Sequence, residues 1–272
     1  MAMALYSRWL TENSLTRPVV VCLHGFAGDS STWEELAPGM SRWGDVLAVD
    51  LPGHGGSPPP DTGNRMGHCV TGLEAVLVSQ GIHPRQNPRP LWWVGYSMGG
   101  RAALNLACRK PHLAARLVLV SATAGLETAD EREARLREDE ALAQAILEGG
   151  MESFVADWLA RPLFAGLRQL PPLVFRRERA MRLAQNPQGL AACLEAMGTG
   201  AMAPVWGSLP QLAMPVLLAA GREDPKFAGL AQKMAGLIPH SRLALIPGAG
   251  HAPHTEQPQR FIQAVGDFFS AN

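Results

Sequence analysis

Short, nearly continuous apolar runs recur along the 272-residue chain, each ending in a glycine-rich or polar turn. They are Val19 to Leu23, Val46 to Asp50, Leu91 to Val94, Leu117 to Ser121, Val216 to Ala220 and Leu243 to Ile246. Runs without polar alternation predict strands buried on both faces. Helix-forming stretches lie between them, at Leu73 to Val78 and Ala102 to Arg109. Strands that alternate with helices predict an α/β fold, a mostly parallel sheet covered on both faces.

The pattern changes in the middle of the chain. From about Ala129 to about Trp206 no strand pattern is present. Asp130 to Glu140 reads as a charged helical face. Phe154 to Leu159 and Leu190 to Met197 read as shorter helices, with Pro162, Pro171-Pro172 and Pro187 as punctuation. The expected organisation is a core of residues 1–121 and 206–272, interrupted by a helical insertion over 122–205. Asn87-Pro88-Arg89-Pro90 reads as a stiff linker into the strand at Leu91.

That strand carries the chemistry. Leu91-Trp92-Trp93-Val94 runs into Gly95-Tyr96-Ser97-Met98-Gly99 and then into a helix. Gly-x-Ser-x-Gly between strand and helix is the context of a nucleophile elbow, whose sharp turn exposes the serine hydroxyl. The glycines allow neighbouring backbone to pass close. An acid and a histidine should then follow in chain order. The strand at Val216 leads to Gly221-Arg222-Glu223-Asp224, and the strand at Leu243 leads to Gly248-Ala249-Gly250-His251. Ser97, Asp224 and His251 are thus the candidate triad, with Glu223 and His254 as rivals. Asp224 is preferred because it precedes Pro225, which fixes the turn. His24-Gly25-Phe26 follows the first buried strand, so the backbone N–H groups of Phe26 and Met98 are the candidate oxyanion donors. His24 itself is read as a loop residue packed under the site. Asp50 precedes the serine, and its expected task is to organise the turn Leu51 to Ser57 by accepting backbone N–H groups.

Composition narrows the classes. The 24 Lys and Arg balance the 24 Asp and Glu, so no electrostatic reason exists to expect nucleic acid or an anionic membrane. Cys22, Cys69, Cys108 and Cys193 are scattered without metal-ligand spacing, and buried thiols are expected rather than bridges. Residues Met1 to Leu10 lack the apolar core of a signal peptide, and no stretch approaches a membrane span. The expectation is a cytoplasmic protein without metal or cofactor.

These motifs resemble the α/β-hydrolases over nearly the whole chain. Within them the chain looks most like the 2-succinyl-6-hydroxy-2,4-cyclohexadiene-1-carboxylate synthases of menaquinone biosynthesis. The narrower likeness rests on Arg101 after the elbow, on Trp158-Leu159-Ala160-Arg161-Pro162-Leu163-Phe164, on Arg182-Leu183-Ala184-Gln185-Asn186 and on Asp224-Pro225-Lys226-Phe227. The family often has asparagine where Ala252 stands, a departure that bears on a local hydrogen bond and not on the base. The resemblance implies a lyase that eliminates pyruvate from a small anionic cyclohexene carboxylate. It implies that Arg101, Arg132 and Arg182 hold substrate carboxylates, with Trp158 and Tyr96 as cavity walls. The alternatives for these residues are a solvated helix position for Arg132, a core position in the helical insertion for Trp158, and packing beneath the elbow for Tyr96. Two other classes share the motifs. A carboxylesterase or carbon–carbon bond hydrolase uses the same triad. A noncatalytic ligand-binding member of the fold would normally lack a triad residue.

Overall fold

The computed structural model describes residues 4–60, 66–83 and 89–271. Met1 to Met3, and Asn87 and Pro88 of the proline-rich linker, lie outside the described residues. Seven strands form one sheet: β1 (Ser7–Trp9), β2 (Val19–Leu23), β3 (Asp45–Val49), β4 (Leu91–Tyr96), β5 (Arg116–Val120), β6 (Val216–Gly221) and β7 (Ser241–Ile246), in the order β1-β3-β2-β4-β5-β6-β7. Among the described residues only β1 runs antiparallel, against β3. The other pairs are parallel. The helices are α1 (Ala37–Met40), α2 (Met66–Ser79), α3 (Met98–Arg109), α4 (Ala129–Ala160), α5 (Pro172–Leu183), α6 (Pro187–Met197), α7 (Pro225–Ala235), α8 (Pro253–Glu256) and α9 (Pro258–Phe269).

For the apolar strands β2 to β6 the reason is the one expected: both faces are covered. The run at Leu243 to Ile246 departs from this, because β7 is an edge strand and Leu243 is exposed. Along β2, Val19, Val21 and Leu23 join one core with Leu73 of α2 and Ala103 of α3. Val20 and Cys22 join the other with Met40 of α1 and Phe261 of α9. The parallel strands all end at one edge of the sheet. Leu23 is opposite Gly95, Tyr96 is opposite Val120, and Gly221 is opposite Ile246. The loops carrying His24, Ser97, Asp224 and His251 therefore emerge together, at the end where open α/β sheets bind ligands.

Two elements differ from what the sequence suggests. No strand lies between Val120 and Val216, as expected, and the helices expected at 130–140 and 154–159 both form, as the two halves of α4. It breaks at Gly150, where φ is 72° and ψ is 176°. Thr128 starts this run with a reciprocal capping box to Glu131. Helix α5 stands where Pro171-Pro172 suggested a break. Pro172 occupies its first turn, where a missing N–H costs nothing. Strand β1 is too short and too exposed to show a pattern.

The cysteines are all free, with Cys22, Cys69 and Cys193 buried and Cys108 half-buried. Among the described residues no helix is long and apolar enough to cross a membrane.

Candidate active site

Ser97 sits between β4 and α3 with φ 50° and ψ −105°, a region that a residue with a side chain rarely adopts. Glycines make the turn possible. A side chain at Gly95 would collide with the Gly99 carbonyl, and one at Gly99 would collide with the Leu23 carbonyl. The Ser97 N–H is tied to Val120 O at 2.8 Å, and Ser97 O accepts the Arg101 N–H at 3.0 Å. The strained serine is thus held from both sides.

The Ser97 Oγ lies 3.2 Å from His251 Nε2. His251 Nδ1 lies 2.9 Å from Asp224 Oδ2, which assigns the proton to Nδ1 and leaves Nε2 to accept from serine. Asp224 caps α7 as well, its Oδ1 accepting the Phe227 N–H at 3.2 Å. Both His251 and Asp224 are buried. The rivals point elsewhere. Glu223 Oε1 accepts the Gly248 N–H at the surface. His254 stacks on Trp33 and packs at a tilt against Tyr96, its buried Nδ1 has no partner among the described residues, and burial pulls its pKa down to about 3.

Two more buried histidines shape the loop after β2. His24 Nε2 accepts the Leu51 N–H at 2.9 Å, while its Nδ1 donates to Gly25 O. His54 Nε2 accepts the Ala27 N–H at 3.1 Å, and its Nδ1 donates to Pro52 O. Desolvation pushes both below the ordinary histidine range, His54 to about 3, so each stays a neutral acceptor. Asp50 accepts N–H groups from Ser30 and Gly56 at 2.6 and 2.8 Å. Phe26 and Met98 both line the cavity above Ser97. Met98 opens α3, where the first N–H groups of a helix have no partner within it.

The cavity has an empty volume of about 930 Å³, part of it open to solvent. Ser97 and His251 line one side of it, and Trp158, Phe164, Leu194 and Met197 from the helical segment form the opposite wall. Trp158 packs edge-on to Phe26 at 5.4 Å, so one ring serves both the wall and the core of the helical segment. Tyr96 likewise does both, lining the cavity while its ring packs at a tilt on His254, with centroids 4.3 Å apart.

The arginines separate. Arg101 is only 7% exposed and lines the cavity. Its Nη1 donates to Met197 O at 2.7 Å. Burial lowers its pKa to about 10, so it remains a cation at neutral pH. Among the described residues no carboxylate comes within 4.0 Å of it to form a salt bridge. Arg182 also lines the cavity, but its Nη1 is bound to Glu178 Oε2 at 2.8 Å in a buried pair. Arg132 does not line the cavity: its Nη1 donates to the carbonyls of Leu126 and Glu127. The residue one turn along, Arg135, lines it instead, oriented by Asp139 at 2.8 Å. Lys226 and Phe227 complete the rim. Nothing in the sequence singles out Arg135, while Lys226 and Phe164 fall within the segments that carry the resemblance.

A sheet of this order, with a serine elbow, a histidine and an acid from the last two βα turns, defines an α/β-hydrolase. A family model described as alpha/beta hydrolase fold matches residues 18–258, and the chain belongs to that family. Within the family, relatives that span most of the chain are named as synthases. A Bacillus subtilis (strain 168) protein provisionally named 2-succinyl-6-hydroxy-2,4-cyclohexadiene-1-carboxylate synthase is 37% identical over 93% of this chain and 90% of its own length. A Klebsiella pneumoniae protein named 2-succinyl-6-hydroxy-2,4-cyclohexadiene-1-carboxylate synthase is 34% identical over 93% and 94%. The solved structure of MenH from S. aureus superposes with a TM-score of 0.90 at 32% identity, covering 98% of both chains. At this identity and coverage the chain is a member of the 2-succinyl-6-hydroxy-2,4-cyclohexadiene-1-carboxylate synthase group.

Proposed function

We propose that this protein eliminates pyruvate from 2-succinyl-5-enolpyruvyl-6-hydroxy-3-cyclohexene-1-carboxylate, giving 2-succinyl-6-hydroxy-2,4-cyclohexadiene-1-carboxylate for menaquinone biosynthesis. The observation that carries the reading is Arg101. A buried cation without a carboxylate partner is costly, and an anionic substrate would complete it. Such a cation beside a serine–histidine pair suits a substrate bearing several carboxylates.

In this mechanism Ser97 and His251 form the base. His251 Nε2 draws the proton from Ser97 Oγ, and Asp224 stabilises the imidazolium that forms. The ring carbon alpha to the succinyl ketone gives up its proton to this pair, with Ser97 as base or relay. The electrons move through the ring double bond and expel the enolpyruvyl oxygen. The departing enolpyruvate takes up a proton on carbon to become pyruvate, so protons balance and no water enters the products. The N–H groups of Phe26 and Met98 stabilise the enolate oxygen, a contribution of about 3 kcal/mol per donor in comparable sites. Arg101 and Arg182 bind carboxylates, and Arg135 takes the part that the sequence assigned to Arg132. Trp158 and Tyr96 wall the ring. Residues 122–205 act as a cap on the core of 1–121 and 206–272. The reaction needs a base and an oxyanion site, so no cofactor is invoked, and a small-molecule pathway enzyme of this kind fits the cytoplasm.

The test is to supply the enolpyruvyl cyclohexene and follow pyruvate and diene together. One-for-one appearance is expected. A carboxylesterase or carbon–carbon bond hydrolase is the second reading, since the triad geometry serves acyl transfer equally. Rapid-quench mass spectrometry of the intact protein separates them. A substrate-derived adduct on Ser97, formed and lost at the turnover rate, would refute elimination.

A further inference from the structure

His251 stands in a glycine-rich loop, yet a base must be held to a fraction of an ångström to act on Ser97. Ala249 O accepts the Glu223 N–H at 2.9 Å, and Asp224 holds the His251 ring. The backbone on either side of His251 is held by a further side chain. The Glu256 carboxylate, at the end of α8, turns back beneath the loop and accepts two backbone N–H groups. Oε2 accepts from Gly250 at 2.7 Å and Oε1 from Ala252 at 2.9 Å. These are the residues on either side of His251. Bonds from N–H groups to a carboxylate are charge-assisted, and here the one from Ala252 is fully buried and the one from Gly250 partly so.

The same carboxylate meets the helical segment. Gly166 lies between the short turns Pro162–Phe164 and Leu167–Gln169. A side chain at Gly166 would overlap Glu256 Oε2. Two residues earlier, the Phe164 ring packs edge-on to the His251 ring with centroids 6.1 Å apart. The stretch 164–166 thus bears on the base twice, once on the imidazole and once on the carboxylate that fixes its loop.

We propose that Glu256 is a positioning residue for His251, and that the helical segment bears on this clamp at Gly166, so that the seating of the segment sets the alignment of the base. The proposal rests on Ser97 and His251 acting as a pair, not on which substrate they act on. Glu256→Gln keeps the shape but replaces one acceptor by an amide NH2. One flanking N–H then faces a donor. Gly166→Ala leaves Glu256 in place and pushes on its Oε2 from the other side.

The test is the rate at which Ser97 is phosphonylated by a fluorophosphonate, alongside kcat and KM for pyruvate release. Both variants should label about tenfold to a hundredfold more slowly, the scale of loss for a base displaced by about an ångström. Their kcat should fall with KM within about twofold, since no substrate contact is removed. Gln257→Ala cuts a neighbouring exposed tie, Nε2 to Gly248 O at 3.1 Å, and should label at nearly the full rate. Folded Glu256→Gln labelled at the wild-type rate overturns the clamp. Should that variant fail to fold, Gly166→Ala decides alone, and full-rate labelling of it overturns the proposal. A wild-type protein that resists the probe would remove the triad reading and this inference with it. Pyruvate release failing while labelling follows the expected order would leave the clamp supported and remove only the lyase reading.

Discussion

The two walls of the cavity hold their chemistry by different means. On the sheet side, backbone does the work. Ser97 is fixed by a strand hydrogen bond, by a helix start and by glycines that nothing larger could replace. His24, His54 and Asp50 position loops by accepting N–H groups. On the helical side, side chains hold side chains. Arg135 leans on Asp139, Arg182 on Glu178, and Trp158 on Phe26 and Phe164. A wall built from backbone constrains residue identity at each position. One built from helix faces constrains only that some cation or ring arrive there.

The comparison can be broken at its strongest point first. Ser97→Ala, His251→Ala and Asp224→Asn should each lower turnover by about 10⁴ or more, the scale seen when triads lose a member. The double variant Ser97→Ala/His251→Ala should be little worse than the poorer single one, because the residues act as a unit. Turnover near wild type in a folded Ser97→Ala protein would show that the sheet side is not the catalytic one.

The next largest effect belongs to Arg101, which joins the two walls through Met197 O. Arg101→Ala should lose about 2 kcal/mol or more in transition-state binding, roughly thirtyfold in kcat/KM. Arg101→Lys should recover only part, since a point charge lacks the guanidinium fork. A neutral ester of similar size should lose much less. Equal losses on charged and neutral substrates would make Arg101 a structural brace.

Acid should attack the sheet side. His54 and His254 are held neutral with pKa values of about 3, below the 6.5 of an exposed histidine. The unfolded chain therefore binds more protons than the folded one between those values. Their stabilisation is complete above pH 6.5 and is lost as pH falls towards 3. His254→Phe removes one such proton, and stability should then fall less steeply over that window, by up to about 1.4 kcal/mol per pH unit. Denaturant melts at several pH values read the slope. An unchanged slope would mean that His254 titrates normally.

The smallest effect sharpens the helical side. Arg132→Ala should change kcat/KM by no more than about twofold, within about 0.5 kcal/mol, as for a surface substitution. Arg135→Ala should raise KM several times more. A reversal of that order would restore the sequence assignment.

The same division decides what could be read from the chain. The strands were legible because both faces of a parallel sheet are buried, and the elbow because only glycine fits beside Ser97. The order of serine, acid and histidine points to Asp224 and His251, and the fold brings both side chains into one chain of contacts with Ser97. Helix α5 was hidden by Pro171-Pro172, since a proline that ends one helix is the same residue that begins another. Arg132 and Arg135 lie on one helix three residues apart. Their spacing says they share a helix, not which of them meets a cavity formed by the fold around it. Glu256 was equally silent, because a carboxylate that clamps backbone leaves no pattern in neighbouring side chains.

The strand order also has a consequence in time. Strands β5 and β6 are neighbours in the sheet, yet residues 121–215 separate them in the chain. A nascent chain made from its N-terminus can assemble β1 to β5 and expose the serine elbow long before the acid and the histidine are synthesised. Closing so long a loop comes late, because its entropy is spent before the distant contacts form. The serine elbow is therefore built early and waits for its histidine. Reactivity at Ser97 becomes a clock for the final docking of β6 and β7, by which time the helical wall that covers it has already left the ribosome.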